Sequence, residues 1–140
     1  MKKILMFSFS FLLLSSFLWL PSSNDNGIKF QEITFSQALA QAKKDHKFIF
    51  MNVYAVWCGP CTSLKKTTFK SSKVGTAFNK SFINISIDAE KGEGIELSRK
   101  YEVTAHPLML VINSEGKVVK RILGYLKEDQ LLKEVKGYLK

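Results

Sequence analysis

The sequence predicts an α/β domain with a central mixed β-sheet flanked by helices on both faces. Three observations carry that prediction. Short β-branched runs alternate with amphipathic stretches, the most apolar run leads into a Cys58-Gly59-Pro60-Cys61 pair, and an Asn-Ser-Glu-Gly turn separates two late strands.

Along the chain, Ile28 to Ile33 is predicted as a short strand. Thr34-Phe35-Ser36-Gln37 is a capping box opening a helix with Phe35, Ala38, Leu39 and Ala42 on one face. Phe48 to Tyr54 is too apolar for a strand buried on one side only, which places it at the sheet centre. A helix is expected from about Gly59 to Thr68, with Pro60 in its first turn, where the missing N–H is not needed. Val74, Ala77 and Phe78 predict a further helical piece, Phe82 to Ile87 a second central strand, and Ile95 to Tyr101 another helix. Leu108 to Ile112 and Lys117 to Leu123 flank Asn113-Ser114-Glu115-Gly116 as a hairpin. The last helix carries Leu131, Leu132, Val135 and Leu139 on one side. Glu128 and Asp129 at its start and Lys136 near its end suit the helix dipole.

Ahead of this domain, Lys2 and Lys3 precede an uncharged run from Ile4 to Leu20, and Pro21-Ser22-Ser23-Asn24-Asp25-Asn26-Gly27 breaks it. A basic start, an apolar run and a polar exit are the parts of a secretory leader. Leu20 and Pro21 stand where a cleavage site wants small residues, so residues 1–23 read as a signal peptide or an N-terminal membrane anchor. Residues 24–27 form a linker, and 28–140 one domain. Outside the leader, 19 Lys and Arg stand against 12 Asp and Glu. That excess favours anionic surfaces. Its lysines are scattered over polar helix faces without aromatic interleaving, so no nucleic-acid partner is expected.

Cys58 and Cys61 are the only cysteines, and their spacing lets a disulfide close and reopen without moving the fold. A thiolate is the attacking species in exchange, and a free cysteine ionises only near pH ~8.5. Cys58, at a helix amino terminus, meets unpaired N–H groups and the positive end of the dipole. It is the expected nucleophile. Cys61, one turn on and expected to be less exposed, would resolve the mixed disulfide. No metal or other cofactor is required.

With Trp57-Cys58-Gly59-Pro60-Cys61 after an apolar strand, Pro107 ahead of the hairpin and Gly124 after the last strand, the chain resembles the thioredoxin superfamily across residues 28–140. The Tyr54-Ala55-Val56 approach, Thr68-Phe69 and the Ser71 to Phe78 insert are similar to the secreted thioredoxin-like proteins, including the carboxyl-terminal domain of the membrane thiol-disulfide reductase. The resemblance implies the thioredoxin fold, a cis-Pro107 facing the disulfide, and a reducing Gly59-Pro60 pair. Trp57 would flank the site. At Asn52 the family usually carries a buried acid that moves the proton of the second cysteine, and at Asn84 often a lysine. Two amides here would avoid burying two ions while satisfying one another, with water carrying the Cys61 proton. The resemblance also places His106 beside the sulfurs, where a charged imidazole would stabilise the Cys58 thiolate.

The expected activity is that of an extracytoplasmic reductase of protein disulfides. Its substrates would be proteins with oxidised or mispaired cysteines, including apocytochrome thiols. Electrons would come from a membrane donor, because the compartment keeps disulfides oxidised. A monomer is expected, tethered to the membrane if the leader persists. Two alternatives remain open: a redox-inert binding module on the same fold, or a structural zinc domain. Zinc needs four ligands, and the chain offers only Cys58, Cys61, His46 and His106.

Overall fold

A computed structural model describes residues 26–140. The predicted leader, residues 1–23, and the first two linker residues lie outside the described residues. Among those described, no helix is long and apolar enough to cross a membrane.

Helix α1 (Phe35–Asp45) leads into strand β1 (Phe48–Tyr54), followed by α2 (Gly59–Lys66), a 3-10 turn (Thr68–Lys70), α3 (Ser72–Ser81) and β2 (Phe82–Asp88). Then come α4 (Glu93–Lys100), the hairpin β3 (Leu108–Ile112) and β4 (Val118–Leu123), α5 (Glu128–Val135) and a closing 3-10 turn (Lys136–Tyr138). The strands lie in the order β2-β1-β3-β4, with β1 parallel to β2 and antiparallel to β3, and β3 antiparallel to β4. This is the predicted mixed sheet, and its apolar strands β1 and β3 occupy the middle because only there are both faces covered.

Strand alternation divides the core in two. Ile49, Met51 and Val53 of β1 join Ile85, Leu110 and the α1 residues Phe35, Ala38 and Ala42 on one face, where α4 adds Leu97 and its C-cap adds Tyr101. Phe50 points the other way, into Leu64 of α2, Val74 and Phe78 of α3, and Leu131 and Val135 of α5. The capping box forms as expected: Gln37 N–H donates to Thr34 Oγ1 at 3.2 Å, and Thr34 N–H to Gln37 Oε1 at 2.9 Å. The hairpin turn closes through Asn113 N–H to Lys117 O at 2.9 Å, with Gly116 at φ +81 where a side chain would be strained.

The first strand is absent. Ile28 to Ile33 is extended, but it gives β2 a single backbone bond, Gln31 N–H to Asn84 O at 2.8 Å. The neighbouring donors are taken elsewhere, Ile28 N–H by Phe69 O at 2.7 Å and Lys29 N–H by Asn79 Oδ1 at 2.8 Å, so no ladder can propagate. Close approach fixes the entry of this segment. A Cβ on Gly75 would stand 2.0 Å from Asn26 O, and Gly27 is itself buried there. Helix α2 stops two residues earlier than expected, because Thr68 turns inward and donates to Leu126 O at 2.6 Å. The last α-helix also ends early, at Val135, and leaves Leu139 beyond the 3-10 turn.

Tyr101 offers a test of this packing. Burial pushes its phenol above the ordinary value of 10.0. A raised folded-state value means stability that is present below about pH 10 and lost as pH climbs through the folded-state value. Denaturant titrations at pH 8 and 11 should therefore show a loss that is smaller in Tyr101→Phe. That variant should lose about 1 kcal/mol at pH 8 with the bond from Tyr101 Oη to Gly116 O at 2.9 Å.

Candidate active site

The carboxyl end of β1 delivers the cysteines to the start of α2. Cys58 is the N-cap, in extended conformation, and its Sγ accepts the Cys61 N–H at 3.2 Å. Asn, Asp, Ser and Thr usually fill that position, so a sulfur there takes the place of a capping oxygen and meets the helix dipole. Gly59 and Pro60 occupy the first turn, where proline forfeits no bond. Cys58 and Cys61 are joined by a disulfide, S–S 2.14 Å, with Cα atoms 5.3 Å apart.

Exposure departs from expectation. Cys58 is 4% exposed and Cys61 8%, so the second cysteine is not the more hidden one. A cleft of about 570 Å³, lined by Cys61, lies between the unladdered 28–33 segment and the sheet. Asymmetry between the sulfurs therefore rests on position, with one at a helix terminus and the other on a side cleft.

On the outer side, Trp57 is 69% exposed beside exposed Val56, Gly59 and Pro60. Its indole Nε1–H donates to Glu90 Oε1 at 2.9 Å, and its ring meets the His106 ring edge-on at 5.9 Å. The His106–Pro107 peptide bond is cis, and Pro107 O accepts Gly124 N–H at 2.9 Å, joining the two loops at that end of the hairpin. His106 is half-buried, and its Nδ1 is enclosed with no hydrogen-bond partner. Glu90 went unnoticed in the sequence. Its bond to Trp57 spans 33 residues, and no local pattern announces it.

The two amides do not pair with each other. Asn52 lies opposite Ser86 in the β1–β2 register and donates Nδ2–H to Ser86 Oγ at 2.9 Å. Asn84 lies opposite Phe50 and turns to Phe78 O and Asn79 Oδ1, both at 3.3 Å. One turn of strand separates them, so Ser86 is the partner sequence reasoning missed. Asn52 is 6% exposed, lines the cleft with Cys61, and keeps an enclosed Oδ1 without a partner. Asn52 and Cys61 thus share one space.

Among the described residues no group of three or more His, Cys, Asp or Glu side chains could hold a metal ion. His46 is the left-handed C-cap of α1, at φ 52 with its side chain exposed.

Comparison with known proteins agrees with this geometry. Residues 35–138 match the family described as Thioredoxin-like domain, and the chain belongs to that family. Its fold and cysteine pair are those of thiol-disulfide oxidoreductases. A protein of Bacteroides thetaiotaomicron, whose solution structure is described as that of a proposed disulphide-isomerase, is 47% identical with a TM-score of 0.71. That match covers 79% of this chain and 91% of the other. The thiol:disulfide interchange protein DsbD of Vibrio cholerae is 31% identical over 99 residues, 68% of this chain and 16% of that protein. A protein disulfide-isomerase of Datisca glomerata is 28% identical over 139 residues, 94% of this chain and 27% of that protein. The chain thus spans about a quarter or less of these curated relatives.

Proposed function

We propose that this chain is an extracytoplasmic reductase of protein disulfides, cycling between a Cys58, Cys61 dithiol and the disulfide. The observation that carries the reading is the Cys58 sulfur at the amino terminus of α2, bonded to Cys61 and next to exposed Trp57. In the forward direction the Cys58 thiolate attacks one sulfur of a substrate disulfide, and the other leaves as a thiolate that takes up a proton. Cys61 then attacks Cys58, gives up its proton, and releases the second substrate thiol. Two electrons pass to the substrate, and the chain keeps the disulfide. Trp57, Gly59 and Pro60 supply the surface a substrate segment would lie against.

Residues 1–23 would carry the domain outside the cytoplasm, by cleavage or as an anchor, and a membrane protein would return electrons to the disulfide. The similarity to DsbD, a thiol:disulfide interchange protein, supports such a relay. A membrane-impermeant thiol reagent applied to intact cells tests the location. Labelling of Cys58 in the reduced protein supports it, and labelling only after lysis contradicts it. Isomerisation is the second reading, favoured by the 47% identical neighbour. Refolding of scrambled ribonuclease faster than dithiol alone allows would support it.

His106 is the residue we assign to tuning. Its ring meets Trp57, the neighbour of Cys58 in the chain, at 5.9 Å, which supports that reading. A positive charge there stabilises the Cys58 thiolate and makes the reduced form easier to reach. His106→Thr should raise the Cys58 thiolate pKa and make the protein more reducing. Thiolate absorbance against pH reads this, and superimposable titrations would remove His106 from the account.

Asn52→Asp should speed resolution by Cys61 several-fold near neutral pH by putting a proton acceptor in the cleft. It should also destabilise the fold by about 1–3 kcal/mol, since a buried carboxylate would have Ser86 as its one hydrogen-bond partner in place of the amide's. Unchanged turnover would show that an acid at this position gives no help.

A further inference from the structure

The side cleft is lined by Cys61, Thr62 and Lys65 of α2, Asn52 and Tyr54 of β1, Ser86 and Ile87 of β2, Glu93 of α4 and Glu32 of the unladdered segment. Three features of it stand together. Asn52 is anchored through Nδ2 to Ser86, which leaves an enclosed carbonyl oxygen with no protein partner. The cleft has room for water, and Ser86, half-buried on its wall, offers that water a polar partner. Cys61, which must lose a proton to resolve a mixed disulfide, borders the same space.

Asn52 cannot take that proton, because an amide oxygen is an acceptor of hydrogen bonds and not a base near neutrality. Among the charged and titratable groups of the cleft, Lys65 has no acceptor capacity when charged, and Tyr54 has a phenol. Glu93 is engaged: its two carboxylate oxygens accept the Phe35 N–H at 2.9 and 3.2 Å, at the start of α1. Glu32 remains. Its carboxylate has no hydrogen bond or ion pair among the described residues, and Glu32, exposed on the entry segment, lines the same cleft as Cys61.

We propose that Glu32 replaces the acid missing at position 52, accepting the Cys61 proton through water in the cleft beside Ser86, whose hydroxyl Asn52 Nδ2 holds in place. The inference rests on the dithiol reading given above. As the Cys61 sulfur bonds to Cys58, the bond from Cys58 to the substrate sulfur breaks. The substrate leaves as a thiolate, and the Cys61 proton passes by water to the Glu32 carboxylate and on to solvent. Asn52 and Ser86 are positioning residues in this step. Lys65, four residues after Cys61 and therefore on the same helix face, favours the transient Cys61 thiolate. The route leaves by the cleft while Trp57 and Pro107 lie at the docking side, so a bound substrate does not close it.

The test uses the mixed disulfide of Cys58 with thionitrobenzoate, formed at low pH and started by a pH jump, so that release of the coloured thiol reports Cys61 resolution alone. Attack by Cys58 on the parent reagent is timed separately. Glu32→Gln should slow resolution about tenfold at pH 7, less than the ~10²–10⁴ of a directly placed base because water carries the proton. The deficit should narrow at alkaline pH, where hydroxide can take the Cys61 proton without a carboxylate. Ser86→Ala should slow the same step and Ser86→Thr restore it. Asn52→Asp added to Glu32→Gln should bring the rate back, which a structural defect at the surface would not allow. Wild-type resolution in Glu32→Gln between pH 6 and 8, equal slowing of attack and resolution, or no rescue by Asn52→Asp would each overturn the proposal. Failure of Cys58 to form the adduct at all would overturn the dithiol reading beneath it, a different and separately visible result.

Discussion

Cys58→Ser is expected to reduce insulin disulfides no faster than the blank reaction, whereas Cys61→Ser should keep the first attack and accumulate mixed disulfides with partner proteins. Exposure does not set these roles, since the two cysteines are 4% and 8% exposed. Position does. Cys58 Sγ stands at the N-cap and accepts the Cys61 N–H, so a thiolate there gains the helix-terminal donors and the dipole. Cys61 lies inside the first turn and lines the side cleft. Non-reducing gels and mass spectrometry of the two variants after exposure to oxidised protein read the outcome directly. Adducts trapped by Cys58→Ser and absent in Cys61→Ser would reverse the roles.

The second large effect is on stability. Phe50→Ala should cost about 3–5 kcal/mol, the range for emptying a phenylalanine site in a core. Phe50 is fully buried and its ring meets Phe78 at 4.7 Å, Phe82 at 6.0 Å, Phe69 at 6.1 Å and Phe30 at 6.3 Å. Those rings come from α3, β2, the 3-10 turn and the entry segment, so one cavity would loosen four pieces of chain at once. Against a typical domain stability of about 5–15 kcal/mol, that loss is a large share. Phe50→Leu should cost less, because most of the volume is retained. Urea melts of both variants test this, and a loss under about 1 kcal/mol in Phe50→Ala would show that the cluster repacks. Phe69 belongs to the cluster and to the cleft wall, so the same variant should also loosen the surroundings of Cys61.

Much of this was written in local pattern. The uniform apolarity of β1, the capping box at Thr34, the turn at Asn113 to Gly116 and the spacing of the cysteines each depend on residues within one element, and each forms as its pattern dictates. What the sequence concealed are relations across distance. Ile28 to Ile33 has the composition of a strand, but Asn79 and the Phe69 carbonyl claim its first donors. Asn52 meets Ser86 and not Asn84 because the parallel register of β1 and β2 sets the pair, and register is invisible before the strands are aligned. Glu90 on Trp57 and Glu32 in the cleft lie 33 and 29 residues from the groups they serve.

The central claim is that the Cys58, Cys61 pair is a reducing dithiol, and its reduction potential tests that most directly. Equilibration against glutathione buffers, with the dithiol fraction counted by alkylation and mass, gives the value. The account predicts a potential of about −270 mV, in the range of thioredoxins, in which the reduced protein readily donates electrons to substrate disulfides. A value near −120 mV, that of a strong oxidant, would contradict it and make the chain a donor of disulfides.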